Sequence, residues 1–228
     1  MRPIIDHPPW ITESDALKVQ YQLAAKVITE DDFSKIHYVA GVDVAYEKHS
    51  NQLIAAVVVL NATSTLQIVE TATATGRAQF PYIPGLFSFR ELPPLVKALE
   101  QLSTEPDLII CDGQGIAHPR RFGLACHLGI LYNIPTIGCG KTRLIGEAGT
   151  IAPTRGSFTE LIDNEEVIGC VLRTQSDVKP IYVSIGHRVC LATACEWVLK
   201  LSPKYRLPET TRQADQLVNQ LMKKANNG

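Results

Sequence analysis

The chain has 228 residues, of which 45% are hydrophobic and 20% charged, and a formal net charge of −1. Its size allows a sizeable core, and its charge rules out a globally basic protein, so any nucleic-acid partner must be met by a local basic patch. No apolar run reaches the roughly 18 residues that a spanning helix needs, which argues against a membrane protein. Six cysteines (Cys111, Cys126, Cys139, Cys170, Cys190 and Cys195) form no Cys-x-x-Cys pair. They fit neither a zinc site nor a compact disulfide framework, and with no apolar leader at the N-terminus they read as reduced thiols of a cytoplasmic protein.

Thr12-Glu-Ser-Asp15 has capping-box spacing and predicts a helix to about residue 28. Leu17, Tyr21, Ala24, Val27 and Ile28 would form its packing face. Residues 38–46, 53–60 and 66–75 read as three strands rich in β-branched side chains, joined by short loops and therefore antiparallel. In the first of them Asp43 shares a face with Val39, Gly41 and Ala45. Its two nearest neighbours on that face are small, which leaves room for an ion or a phosphate. The alternative is a solvent-facing aspartate, although Asp is disfavoured inside strands.

Gln79-Phe-Pro-Tyr82-Ile-Pro-Gly85 follows. Pro81 and Pro84 fix two φ angles, and Pro84-Gly85 suits a type II turn, so the segment is a stiff tip carrying an aromatic ring. Tyr82 could wedge between bases or could pack over the core edge. A helix with Leu92, Leu95, Val96, Leu99 and Leu102 on one face is expected to begin near Glu91, with Pro93 and Pro94 in its first turn. Glu91 there serves either chemistry or the helix dipole.

Residues 108–111 read as a short buried strand that ends in Asp112-Gly113-Gln114-Gly115. Chemistry in open α/β sheets collects at the carboxyl ends of strands, and two glycines there allow a sharp turn and close approach of a ligand. Asp112 could equally cap the next helix. That helix is expected from Pro119, with Phe122, Ala125, Cys126 and Gly129 on one face and Arg120 and Arg121 outside. His118 precedes it, either as a catalyst or as a capping or packing residue. A strand at 134–138 then runs into Gly140-Lys141-Thr142, which resembles the end of a phosphate-binding loop. That motif requires a glycine where Pro135 stands, so an ATPase is rejected, and Lys141 remains a candidate point charge for a phosphate.

Residues 150–170 are mixed, with a turn at 163–166, and 167–174 and 181–185 read as strands. A helix from about Cys190 to Leu201 and a last helix from Pro208 complete the chain. Ala214, Leu217, Val218 and Leu221 form the apolar stripe of the last helix, Asp215 lies beside it, and 223–228 are expected to fray. The sum is an α/β fold: a mixed sheet, three antiparallel strands followed by alternating strands and helices, flanked by helices in one domain of residues 1–228 with its core at about 15–222. In that order the strands carrying Asp43 and Asp112 can be neighbours. Close carboxylates repel and call for a cation; all-oxygen ligands suit Mg²⁺ or Mn²⁺, and such ions serve phosphodiester hydrolysis.

The chain resembles the endonuclease V family of ribonuclease H-like nucleases that act on deoxyinosine. The resemblance is carried by Val39-Ala-Gly-Val-Asp43-Val-Ala-Tyr, Pro81-Tyr-Ile-Pro-Gly-Leu-Phe-Ser-Phe-Arg90-Glu91, Asp112-Gly-Gln-Gly-Ile-Ala-His118-Pro-Arg-Arg-Phe-Gly and Ile134-Pro-Thr-Ile-Gly-Cys. Weaker matches are Gly186-His-Arg188, Arg206-Leu-Pro-Glu209 and Arg212-Gln-Ala-Asp215. Together they span about residues 37 to 216.

The resemblance implies that Asp43 and Asp112 bind the catalytic Mg²⁺, for which Mn²⁺ can substitute. Glu91 completes the acidic site, and Asp215 is its outer member, at a position the family fills with histidine or aspartate. Tyr82 would fill the gap left by a displaced base, with Gly85 and Gly113 closing around hypoxanthine. Lys141 and His118 would support the scissile phosphate, and Arg90 would contact nucleic acid. The implied reaction cuts the second phosphodiester 3′ to deoxyinosine in DNA, or to inosine in RNA, leaving 3′-hydroxyl and 5′-phosphate ends. It implies no obligate protein partner and no membrane. The family's Ala-Lys loop reads Gly140-Lys141 here, and a glycine is expected to loosen it. A binder of deaminated nucleic acid that does not cut, and a phosphoesterase acting on small nucleotides, are the alternatives.

Overall fold

The computed structural model describes residues 1–5, 12–47, 50–63 and 65–226. β1 (Tyr38–Tyr46) is its spine: it pairs antiparallel with β2 (Gln52–Asn61) and parallel with β4 (Leu108–Cys111). β3 (Ile68–Arg77) adds antiparallel to β2, and β5 (Thr136–Gly140) adds parallel to β4. Beyond β5 the sheet continues antiparallel through β9 (Ile181–His187), β8 (Glu166–Leu172), β7 (Phe158–Asp163) and β6 (Glu147–Ala148). The order β3-β2-β1-β4-β5-β9-β8-β7-β6 contains the expected ribonuclease H-like arrangement at its β3-to-β5 end. Every residue of β2 from Leu53 to Leu60 is buried. Such a continuous apolar run marks a strand covered on both faces. α2 (Phe87–Leu99) packs its leucines on one face and α5 (Glu209–Asn226) its Ala214 and Val218 on the other.

Two helix starts and one helix end depart from the sequence reading. α1 (Glu13–Ala24) has the expected Thr12 cap, with the Asp15 N–H donating to Thr12 Oγ1, but it ends four residues early. The end of β9 captures the chain that leaves it: the Arg188 N–H donates to the Ile28 carbonyl, and the Ile28 N–H donates to His187 Nδ1. Of the expected packing face, Leu17, Ala24 and Val27 are partly buried against the core, Tyr21 and Ile28 are exposed, and the fully buried residues are the i, i+4 pair Ala16 and Gln20. α2 begins at Phe87 rather than near Glu91, with Pro93 and Pro94 inside it. Burial of Leu86 and Phe89 against Phe80 and Ala16 winds the aromatic segment into the helix and outweighs the amide hydrogen bonds the prolines forgo.

α3 (Leu124–Tyr132) begins five residues beyond Pro119. Residues 118–123 instead form tight turns, with the Arg121 N–H on the His118 carbonyl and Arg121 at φ 55°. Gly123 presses so closely on the preceding loop that a Cβ there would lie 2.2 Å from the Gln114 carbonyl oxygen. Arg120 and Arg121 fold back rather than outward: Arg121 pairs with Asp163 and Glu166 at 2.9 and 2.6 Å. β6 and β7 were not anticipated, while the expected turn at 163–166 is the β7–β8 hairpin, with Asn164 and Glu165 at φ 51° and 66°. α4 (Leu191–Lys200) lies within the expected range of Cys190 to Leu201, and Cys190 caps it. α5 runs to Asn226 where fraying was expected from 223, and residues 227 and 228 lie outside the described residues. Among the described residues no helix is long and apolar enough to cross a membrane.

Candidate metal centre and adjoining cleft

The parallel β1–β4 ladder ends at Val42 opposite Cys111, and the Asp112 N–H then donates to the Val42 carbonyl at 3.3 Å. Register alone therefore brings Asp43 and Asp112 together where β4 ends. α5 supplies Asp215. The start of that helix lies directly on Gly41: a Cβ there would sit 2.2 Å from the Thr210 carbonyl carbon. The room that small residues were expected to leave beside Asp43 is thus filled, on the Gly41 side, by helix backbone. One carboxylate oxygen each from Asp43, Asp112 and Asp215 lies within 4.8 Å of the others.

Burial and the charge of Asp112 push the Asp43 carboxyl up to about 7, against the pull of Lys141. Lys141 Nζ lies 2.5 Å from Asp112 Oδ2 and 3.2 Å from Asp215 Oδ1. Burial works against its charge, but Asp112 and Asp215 prevail and hold the ammonium above its ordinary range. Glu91 stands outside the trio and accepts from the Tyr46 hydroxyl at 2.7 Å. Burial raises its carboxyl to about 7; the Tyr46 bond opposes the rise, and Asp43 and Asp112 add to it. Three carboxylates gathered this closely are hard oxygen donors and form a set that can hold a divalent cation.

A cleft of about 330 Å³ opens beside Asp112, lined among others by Gln20, Gly85, Glu91, Gly113 and Lys141. Tyr82 stands 69% exposed on the Pro-rich tip, its ring centroid 4.7 Å from that of Phe87, which lines the cleft. Gly85 takes φ 78°, and its buried carbonyl faces His118, Gln20 and Arg120. His118 is itself buried, and burial together with Arg120 lowers its ring to about 4, so it is neutral near pH 7. Arg90 donates from Nη1 to the Phe80 carbonyl at 2.8 Å and lies over the Tyr46 ring at 5.3 Å. Gly140 is not a loose loop residue. It is paired with Tyr182 in the sheet, and the Gln114 amide packs where a Cβ would stand, donating to the Thr142 carbonyl at 3.1 Å.

Gln20, Tyr46 and Arg120 escaped the sequence reading as contributors to this region. Gln20 carries no local signal, since a glutamine in a capped amphipathic helix reads as exposed. Tyr46 was visible as the end of a strand motif, but its reach to Glu91 depends on how α2 crosses β1.

A family model of endonuclease V matches residues 21–216. The endonuclease V of Trichormus variabilis is 53% identical over 214 residues, which are 93% of this chain and 96% of that protein. The crystal structure of endonuclease V from Streptomyces avermitilis is 47% identical with a TM-score of 0.91, covering 97% of this chain and 98% of that one. Ciona intestinalis endonuclease V, solved in complex with a 24mer DNA containing an inosine followed by a ribo-adenosine, is 31% identical with a TM-score of 0.81, covering 93% and 98%. Sequence and structure thus agree over nearly the whole length, and the chain belongs to the endonuclease V family.

Proposed function

We propose that this protein is a Mg²⁺-dependent endonuclease for deaminated bases that hydrolyses the second phosphodiester bond 3′ to deoxyinosine, leaving 3′-hydroxyl and 5′-phosphate ends. Mn²⁺ can replace Mg²⁺, and inosine in RNA is a second substrate. The observation that carries this reading is the trio Asp43, Asp112 and Asp215, one oxygen of each within 4.8 Å, with Asp112 also lining a cleft that Gly85, at the end of the Tyr82 tip, helps to form. Asp43 and Asp112 hold the ion, with Asp215 as its outer ligand and Glu91 completing the acidic site. The bound ion supplies an activated water and offsets charge on the phosphate.

Lys141, anchored between Asp112 and Asp215, presents its ammonium to the scissile phosphate and offsets the repulsion between the two carboxylates. Tyr82 fills the gap left by the displaced base, and the backbones at Gly85 and Gly113 close around hypoxanthine in the cleft. Arg90 braces the tip while its guanidinium remains near the bound strand. His118, buried and neutral, acts from behind the tip through Gly85 and not by charge on the phosphate. Six free thiols suit a reducing cytoplasm.

The test is a mapped cleavage assay on end-labelled strands carrying one inosine, as DNA and as RNA, with Mg²⁺ or with chelator. A single metal-dependent nick at the second bond 3′ to the inosine is expected. Absence of a nick on both strands, with the protein shown to be folded, overturns the reading.

A further inference from the structure

We propose that Gln20, His118 and Arg120 form a clamp on the Gly85 carbonyl that sets the pose of the Tyr82 tip, which makes Gln20 and Arg120 positioning residues for reading a lesion inside a duplex. The inference rests on the wedge role given to Tyr82 above.

Three donors converge on one oxygen: Gln20 Nε2 at 2.9 Å, His118 Nε2 at 2.9 Å and Arg120 Nη2 at 2.8 Å. A carbonyl has two lone pairs, so three donors over-determine its position. The donors are fixed in turn. Arg120 Nε donates to Gln20 Oε1, and the Gln20 amide also donates to the Phe122 carbonyl at 3.0 Å. His118 Nδ1 accepts from the Arg120 N–H at 3.2 Å, which assigns the ring proton to Nε2, the nitrogen facing Gly85. Gln20 is 1% exposed, so these bonds face little competition from water.

At the other end of the tip Arg90 Nη1 holds the Phe80 carbonyl at 2.8 Å. Pro81, Tyr82, Ile83 and Pro84 therefore hang between two pinned carbonyls, with two of the four φ angles locked by proline. Gly85 seals the arrangement: its φ of 78° suits glycine, and a Cβ there would meet Arg120 Nη2 at 2.7 Å. A tip ordered before it meets nucleic acid loses little entropy on insertion. The clamp donors come from α1 and from the loop after β4, so the segment that begins with Asp112 also sets the wedge.

The experiment compares cleavage of one inosine-containing strand, alone and annealed to its complement, by wild type, Gln20→Leu, Arg120→Met and Tyr82→Ala. A wedge matters where a partner strand leaves a gap to fill, so the ratio of duplex to single-strand kcat/KM is the readout, and a purely structural loss moves both rates together. The ratio is expected to fall tenfold or more in Tyr82→Ala and in both clamp variants, with the Mg²⁺ midpoint shifting less than twofold. Arg120 is partly exposed, so Arg120→Met carries the test if Gln20→Leu does not fold. Clamp variants that melt cooperatively and keep the wild-type ratio, while Tyr82→Ala loses it, overturn the clamp. A wild-type ratio in Tyr82→Ala overturns the wedge reading on which it rests.

Discussion

The Tyr46 hydroxyl donates to Glu91 Oε1 at 2.7 Å, across the boundary between β1 and α2. The bond holds one oxygen of a buried carboxyl and stabilises its ionised form, opposing the burial that raises it. Tyr46→Phe removes the hydroxyl and leaves the ring under Arg90. A hydrogen bond of this kind is worth about 1 kcal/mol or somewhat more. Cleavage by Tyr46→Phe should therefore drop about three- to tenfold, and the acid limb of its pH–rate profile should move to higher pH. An acid limb that stays in place would show that Glu91 is not the group titrating there.

Asp112→Asn keeps the shape of the residue and removes one charge from the trio. Cleavage should fall at least about a hundredfold in Mg²⁺, the scale seen when charge stabilisation at a reacting centre is lost. Binding of an inosine-containing strand, measured by fluorescence anisotropy, should largely survive. Loss of binding in step with activity would make Asp112 a docking or folding residue instead.

Lys141 has opposed effects on cation binding and on turnover. Its ammonium occupies the space between Asp112 and Asp215 and competes with a cation for their oxygens. At pH 8.5, where proton competition is small, Lys141→Met should bind Mn²⁺ more tightly in an electron paramagnetic resonance titration yet cleave at least about tenfold more slowly. Weaker Mn²⁺ binding would mean that the ammonium organises the carboxylates more than it competes for them.

The centre of the sheet and the main acidic positions were legible because they are local. β1, β2 and β4 announce themselves by apolar runs; Asp43 stands out as an aspartate in mid-strand, and Glu91 and Asp112 sit at a motif end and a strand tip. What stayed hidden is set by contacts between distant segments. Pro119 marks a helix start by local rules, yet the approach of Gly123 to Gln114 delays α3 to Leu124. Pro93 and Pro94 argue for a later α2, but burial of Phe89 extends the helix backwards. Gln20 reaches Gly85 across 65 residues of sequence, a relation no periodicity encodes. β6 is two exposed residues and β7 has a single buried one, so their alternation is too weak to stand out from a loop.

Two glycines near the site should respond differently to alanine. At Gly41 the added methyl would strike backbone, the Thr210 carbonyl carbon at 2.2 Å, and only displacement of α5 relieves it. Overpacking of this kind costs about 1–3 kcal/mol, and it should also weaken Mn²⁺ binding because Asp215 travels with the helix. At Gly140 the methyl would meet the Gln114 amide at 2.2 Å, the mobile end of a side chain, at the cost of its bond to Thr142. That loss is about 1 kcal/mol or less. Thermal melts should rank Gly41→Ala well below Gly140→Ala, and equal melting temperatures would show that α5 yields without strain.

The pH dependence of stability in the cation-free protein is a balance of opposite signs. Asp43 and Glu91 are raised to about 7 from 3.8 and 4.5, so the folded state holds more protons than the unfolded chain across that interval and loses stability as pH rises. His118 and His187 are lowered to about 4 from 6.5, burial being the main cause in both, so the unfolded chain holds more protons and stability grows with pH. Between pH 5 and 6.5 the two pairs oppose one another. Asp43→Asn deletes one raised carboxyl and relieves Glu91 of a like charge, leaving the histidines dominant. Its melting temperature in chelator should therefore climb with pH more steeply than that of wild type. Mg²⁺ added to wild type should steepen the slope in the same direction, because an ion on ionised carboxylates removes their preference for protons. Parallel slopes for wild type and Asp43→Asn in chelator would mean that Asp43 is ionised throughout this range, with Lys141 outweighing burial.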